Sequence, residues 1–235
     1  MTSDHSWHLV VPVKGGNGAK SRLQPPVGVD RAELALAFAA DCLAAVVSGM
    51  PPGRVFVVTS HPRAAALATG LGVRVVADPG GGLDAAVAAG RDAALTSGAP
   101  LASADSVAPT AKSADASNPE ARKDGAAVAV LLGDLPALRP EDLTQALTAA
   151  AAYPIAFVPD ADGTGTVLLT ATDGRQLEPR FGEGSAARHK AAGHTRLDLE
   201  LPRLRTDVDD SGDLEHALAL GVGPATATIL ARRAH

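Results

Sequence analysis

The chain has 235 residues, a single cysteine and a formal net charge of −5, with aromatic residues making up only 3%. That length suits one α/β domain over 1–235 that buries its core without disulfide or metal staples, and the lone Cys42 excludes an intrachain disulfide. The acidic balance lacks the basic face of a nucleic-acid binder. Met1–His8 has no signal-peptide core, and no apolar run reaches the ~20 residues of a spanning helix, so a cytoplasmic chain without membrane contact is expected.

Short apolar runs alternate with longer helical patterns. Trp7–Val13 reads as a first strand and Arg31–Ser48 as a helix, in which Cys42 is a small buried hydrophobe. Val55–Thr59 is a strand, the stretch after Pro62 a helix, Val73–Ala77 a strand and Leu83–Leu95 a helix. Ala126–Leu132 is a buried strand, Glu141–Ala152 a helix and Ile155–Val158 a strand. These strands are β-branched and almost continuously apolar, as in a parallel sheet covered on both faces. The alternation predicts a doubly wound, mostly parallel α/β fold.

After Val158 the rhythm changes. Thr166–Thr170 and Thr195–Glu200 read as strands around a short helix, Ser185–Ala192, which predicts a small, partly antiparallel add-on closing over the sheet. Helices follow at Leu214–Leu220 and Pro224–Arg233. Residues 97–125 hold almost no large apolar side chain, so they read as a disordered surface insertion.

Five motifs carry possible chemistry. Pro12-Val13-Lys14-Gly15-Gly16-Asn17-Gly18-Ala19-Lys20-Ser21-Arg22 follows the first strand. Its glycines let backbone N–H groups approach a phosphate and its three cations neutralise charge, although it is neither a Walker A loop nor GxGxxG. Gly80-Gly81-Gly82-Leu83-Asp84 passes backbone close to a base or ribose, or is a plain strand-to-helix turn. Gly133-Asp134-Leu135-Pro136 puts a carboxylate at the tip of a buried strand, where open α/β sheets bind ligands. Asp134 suits Mg²⁺ there, the competing reading being a cap for the helix near Pro140. Asp162–Thr166 with Arg180–Ser185 offers a hydroxyl and backbone N–H groups to an anion, followed by Arg188, His189 and Lys190; the alternative is Ser185 as a simple N-cap. In Thr206–Leu214, period-two alternation sets Asp207 and Asp209 on one side, while Asp210 or Ser211 caps a helix.

In this order the motifs resemble the guanylyltransferases of coenzyme F-420 biosynthesis, a group within the GT-A-like nucleotidyltransferases. The resemblance runs from Trp7 to Gly221, and PVKGGNGAKSRL and RFGEGSAARH are its most specific stretches. It implies transfer of GMP from GTP to phosphoenolpyruvate, or to 2-phospho-L-lactate. It also implies Mg²⁺ on Asp134 with Asp207 or Asp209, and Lys14, Lys20 and Arg22 on the triphosphate. Thr166, Gly182 and Ser185 would hold the acceptor acid, and Pro12, Val13, Lys14, Gly15, Lys20, Gly81, Gly82 and Asp84 would line the nucleotide. The chain departs from the pattern at Asp84, where relatives often carry Asn. Two rival readings are a molybdopterin-type nucleotidyltransferase, whose first loop has a different pattern, and a non-catalytic GTP-binding protein. Hand-off of the product to the next enzyme is a further expectation.

Overall fold

The computed structural model describes residues 6–14, 22–97 and 126–232. Its centre is a seven-stranded sheet in the order β3-β2-β1-β4-β6-β5-β7. The strands are β1 (His8–Pro12), β2 (Val55–Thr59), β3 (Arg74–Ala77), β4 (Val128–Leu131), β5 (Ile155–Pro159), β6 (Thr166–Ala171) and β7 (Thr195–Arg196). Parallel pairing joins β3, β2, β1 and β4. Strand β6 is antiparallel to both β4 and β5, and β7 is parallel to β5. Only β6 therefore runs against the rest. The mostly parallel doubly wound sheet is as expected, but the antiparallel element lies within the sheet and does not close over it.

The helices are α1 (Arg31–Gly49), α2 (Pro62–Gly70), α3 (Leu83–Ser97), α4 (Pro140–Ala150), α5 (Ser185–Ala191), α6 (Pro202–Arg205), α7 (Ser211–Leu220) and α8 (Pro224–Ala231). Strand alternation sorts the core into two layers. Leu9, Val11, Val57 and Leu131 pack with Cys42, Leu43, Ala64 and Leu143 from α1, α2 and α4. Val10, Phe56, Val58 and Val130 pack with Ala86, Val87 and Ala186 from α3 and α5. By length and composition α1 is apolar enough to cross a membrane, with a mean hydropathy of 1.6, contrary to the expectation from the sequence. In the fold its Leu34, Phe38, Leu43 and Val46 are buried as core.

Expectation and structure part at one strand. Thr195–Glu200 contributes only the two residues of β7 at the sheet edge, after which α6 begins at Pro202. The last ladder bond is from Leu197 N to Phe157 O at 2.9 Å, and Pro202, suited to the first helical position, opens α6. The segment read as a disordered insertion lies, apart from Ser97 at the end of α3, outside the described residues.

A smaller cluster of Leu23, Leu34, Phe38, Val208, Leu214 and Ala217 fixes α7 against α1. Helix α8 is held by Asp41, whose carboxylate accepts from Ala225 N (2.9 Å) and Thr226 N (2.8 Å). These two anchors set the position of the chain between α6 and α7, which carries the acidic motif.

Candidate active site

The site forms where β1, β4 and β6 meet at one end of the sheet. Strand β1 ends at Pro12, and Val13 N still donates to Val58 O at 2.9 Å. Gly133 follows β4 so closely against β1 that a Cβ there would lie 3.0 Å from Val13 Cγ2 and 3.1 Å from Pro12 O. The absence of a side chain lets the two strand tips close together. The register pairs Leu131 with Leu168, and Leu132 N donates to Val167 O at 3.0 Å. Continued one step, it places Thr166 opposite Gly133, beside Asp134.

Asp134 does not cap α4, whose N-cap is Arg139. It meets the acidic motif instead: Val208 N donates to Asp134 O at 3.2 Å. Val208 is fully buried, so its neighbours Asp207 and Asp209 face the other way, as the period-two reading requires. One carboxylate oxygen from each of Asp134, Asp207 and Asp209 lies within 4.8 Å of the others. Asp134 and Asp207 are half-buried and Asp209 is exposed. Three hard oxygen donors converging from two segments suit a small divalent cation. Asp210 serves α7: its carboxylate accepts from Gly212 N (2.8 Å) and Asp213 N (3.1 Å), while Asp213 accepts from Asp209 N and Asp210 N.

Cys42 lies beneath this centre with its thiol 3.6 Å from Leu132 O. Burial, then the nearby Asp134 charge, push its pKa up to about 12, so it stays a neutral thiol.

Of the first loop, Lys14 and Arg22 are exposed, while Gly15 and Lys20 lie outside the described residues. Gly80, Gly81 and Gly82 have φ of 78°, 85° and 100°. A Cβ at Gly80 or Gly82 would meet nothing within 4 Å, so backbone conformation and not space selects glycine there. Asp84, in the first turn of α3, accepts from Phe181 N at 2.9 Å through Oδ1. It thereby links the glycine turn to the RFGEGS segment 97 residues away.

That segment is tightly braced. Arg188 donates to the carbonyls of Arg180 (3.2 Å), Phe181 (2.8 Å) and Glu183. Gly182 and Gly184 have φ of 105° and 70°, and Gly184 is the N-cap of α5. Ser185 is therefore the first helical residue and not the cap; it is 2% exposed. Thr166 and His189 join the Asp162–Thr166 turn to the RFGEGS segment through a 3.0 Å contact between Oγ1 and Nδ1, and Arg180 N donates to His189 Nε2 at 3.1 Å.

Sequence reasoning passed over the braces. Asp160 accepts from Thr164 N (2.9 Å) and Gly165 N (2.7 Å), shaping the turn before Thr166. Arg196 Nη1 donates to Gly163 O at 3.0 Å. Arg205 donates to the carbonyls of Pro159 and Asp160, and its own carbonyl accepts from Ala161 N at 2.7 Å, tying this turn to the segment that carries Asp207. The closeness of Asp160 to the GTGT turn was a usable signal. The two arginines bind remote carbonyls and leave no local trace.

The model of the MobA-like NTP transferase domain matches residues 36–196. The phosphoenolpyruvate guanylyltransferase of Geodermatophilus obscurus is 46% identical, covering 98% of this chain and 96% of its own length. That of Streptomyces coelicolor is 46% identical, with 96% of each chain covered. Among solved structures, a putative nucleotide-diphospho-sugar transferase from Desulfovibrio desulfuricans superposes with a TM-score of 0.62 at 17% identity, covering 97% of this chain and 95% of the other. A cytidylyltransferase from Leptospira borgpetersenii gives 0.51 at 16% identity, covering 90% and 84%. The fold is that of the nucleotidyltransferases, and near-full-length identity of this size places the chain in the phosphoenolpyruvate guanylyltransferase family of MobA-like NTP transferases.

Proposed function

We propose that the chain transfers GMP from GTP to phosphoenolpyruvate, forming enolpyruvyl-2-diphospho-5′-guanosine and pyrophosphate, in coenzyme F-420 biosynthesis. The observation that carries this reading is the convergence of Asp134, Asp207 and Asp209 at the strand tips beside Thr166. Those carboxylates would hold Mg²⁺, which when bound supplies charge neutralisation between two polyanions. Thr166, Gly182 and Ser185 hold the acid, and Lys14, Lys20 and Arg22 meet the triphosphate and stabilise the departing pyrophosphate. Pro12, Val13, Gly15, Gly81 and Gly82 line the nucleotide, and Asp84 couples that side to the acceptor segment.

The acceptor's phosphate oxygen is already anionic near neutral pH, so its attack on the α-phosphorus needs no protein base. The task left to the chain is in-line positioning and charge balance. Both substrates are cytoplasmic metabolites, which supports a cytoplasmic enzyme that hands its reactive diphosphate to the next catalyst. The test is pyrophosphate release from GTP and Mg²⁺ with phosphoenolpyruvate and 2-phospho-L-lactate side by side. Phosphoenolpyruvate is expected to give the higher kcat/KM. Release with neither acid would overturn the reading, and preference for phospholactate would change the acceptor.

A further inference from the structure

His189 is fully buried and reaches no solvent-facing surface, yet it is the junction of the two acceptor motifs. Its ring is held by Phe157 and Phe181, each 5.5 Å away between centroids, and stacks on His194 at 5.4 Å. With that orientation fixed, the hydrogen bonds decide where its proton sits. Arg180 N can only donate, so His189 Nε2 must be the bare nitrogen. The proton is then on Nδ1 and is given to Thr166 Oγ1. Burial, with the neighbouring His194, Arg188 and Arg180, lowers the pKa to about 4, so the ring is neutral in this form near pH 7.

The consequence falls on Thr166. Its oxygen already accepts from His189, so its own O–H is left to donate. That residue is 3% exposed, and among the described residues its hydroxyl proton meets no acceptor. A buried donor left in this way is costly unless a ligand supplies the acceptor. We propose that His189 is a positioning residue for the acceptor acid: fixed as the Nδ1–H tautomer, it makes the Thr166 hydroxyl an obligate donor to the acid's anionic group and pins the Arg180–Ser185 segment by the same ring. This rests on the acceptor-site reading above.

The test combines spectroscopy and kinetics on the full chain. Long-range ¹H–¹⁵N correlation of histidine-labelled protein at pH 7 is expected to show His189 protonated at Nδ1 and bare at Nε2. The opposite tautomer, or an imidazolium, overturns the proposal without touching the acceptor-site reading. His189→Gln keeps an acceptor for Arg180 N but removes the donor to Thr166. It is expected to raise KM for phosphoenolpyruvate about tenfold while KM for GTP stays within about twofold. His189→Asn, which retains a donor at the Nδ1 position but loses the acceptor for Arg180 N, is expected to raise KM for the acid less than His189→Gln does. In a Thr166→Val background, His189→Gln is expected to add nothing further. An additive effect, or equal changes in both KM values, overturns the proposal. If Thr166→Val alone leaves KM for the acid unchanged, the acceptor-site reading falls and the inference with it. Should His189→Gln fail to fold, the wild-type tautomer still decides the question.

Discussion

Gly90 gives a sharp test of how α3 is seated. It lies in the middle of α3 and faces the sheet, and a Cβ there would come within 2.8 Å of Val58 Cγ2 and closer still to Val10 Cγ1. Carbon atoms normally rest about 3.5–4.0 Å apart. Val10 and Val58 are 0% and 1% exposed, so neither can swing away. Gly90→Ala gains about 1 kcal/mol of helix propensity. Against this stands an overpacking cost of about 3 kcal/mol, the upper end of the usual range, because two side chains are struck at once. The expected net loss is about 2 kcal/mol, read by urea unfolding as a lower midpoint with an unchanged slope. Gly90→Ala should cost much less in a Val10→Ala background, since the cavity accepts the new methyl. A Gly90→Ala protein as stable as wild type, or one whose loss is untouched by Val10→Ala, would refute the packing argument. Because α3 carries Asp84 at its start, the same variant should weaken substrate binding before it unfolds.

Three further outcomes are expected. Asp134→Asn should lower turnover by roughly a hundredfold or more and abolish stabilisation by Mn²⁺ or Mg²⁺ in a thermal melt. Its cooperative unfolding should persist, because Asp134 caps no helix. Wild-type activity at limiting Mg²⁺ would remove Asp134 from the metal site. Ser185→Ala should raise KM for the acid well beyond that for GTP, since Gly184 and not Ser185 is the N-cap; equal shifts would mean a structural role. The third concerns acid. His189 keeps a folded pKa of about 4 against an ordinary value of 6.5, so below pH 6.5 the unfolded chain takes up a proton that the folded chain refuses. Stability therefore falls as pH drops from 6.5 to about 4, by at most about 1.4 kcal/mol per pH unit from this ring. The stability difference between wild type and His189→Gln should carry that slope, and a flat difference would show that the ring titrates alike in both states.

The helices and the parallel strands were legible because each is written in local periodicity. Apolar runs such as Val55–Thr59 are buried on both faces, and Asp30, which accepts from Glu33 N, starts α1 within a few residues. Asp207 and Asp209 could be placed on one side because alternation needs only an extended backbone. Local signals could not show that β6 enters the sheet between β4 and β5, since a strand's direction depends on which partner it meets. Nor could they show that Thr195–Glu200 is cut short to two strand residues, because at the sheet edge the segment meets one partner strand only.

By itself, then, the sequence determined the fold class, the basic glycine loop, the acidic motif and the family resemblance, all carried by short stretches whose meaning is local. Only the tertiary structure decided which groups meet. It brought Asp134 to Asp207 and Asp209 across more than seventy residues, gave Asp84 to Phe181 N, and set the His189 ring between Thr166 Oγ1 and Arg180 N. Such contacts join segments remote in sequence, and their energies depend on distances of a few ångströms that no residue pattern contains.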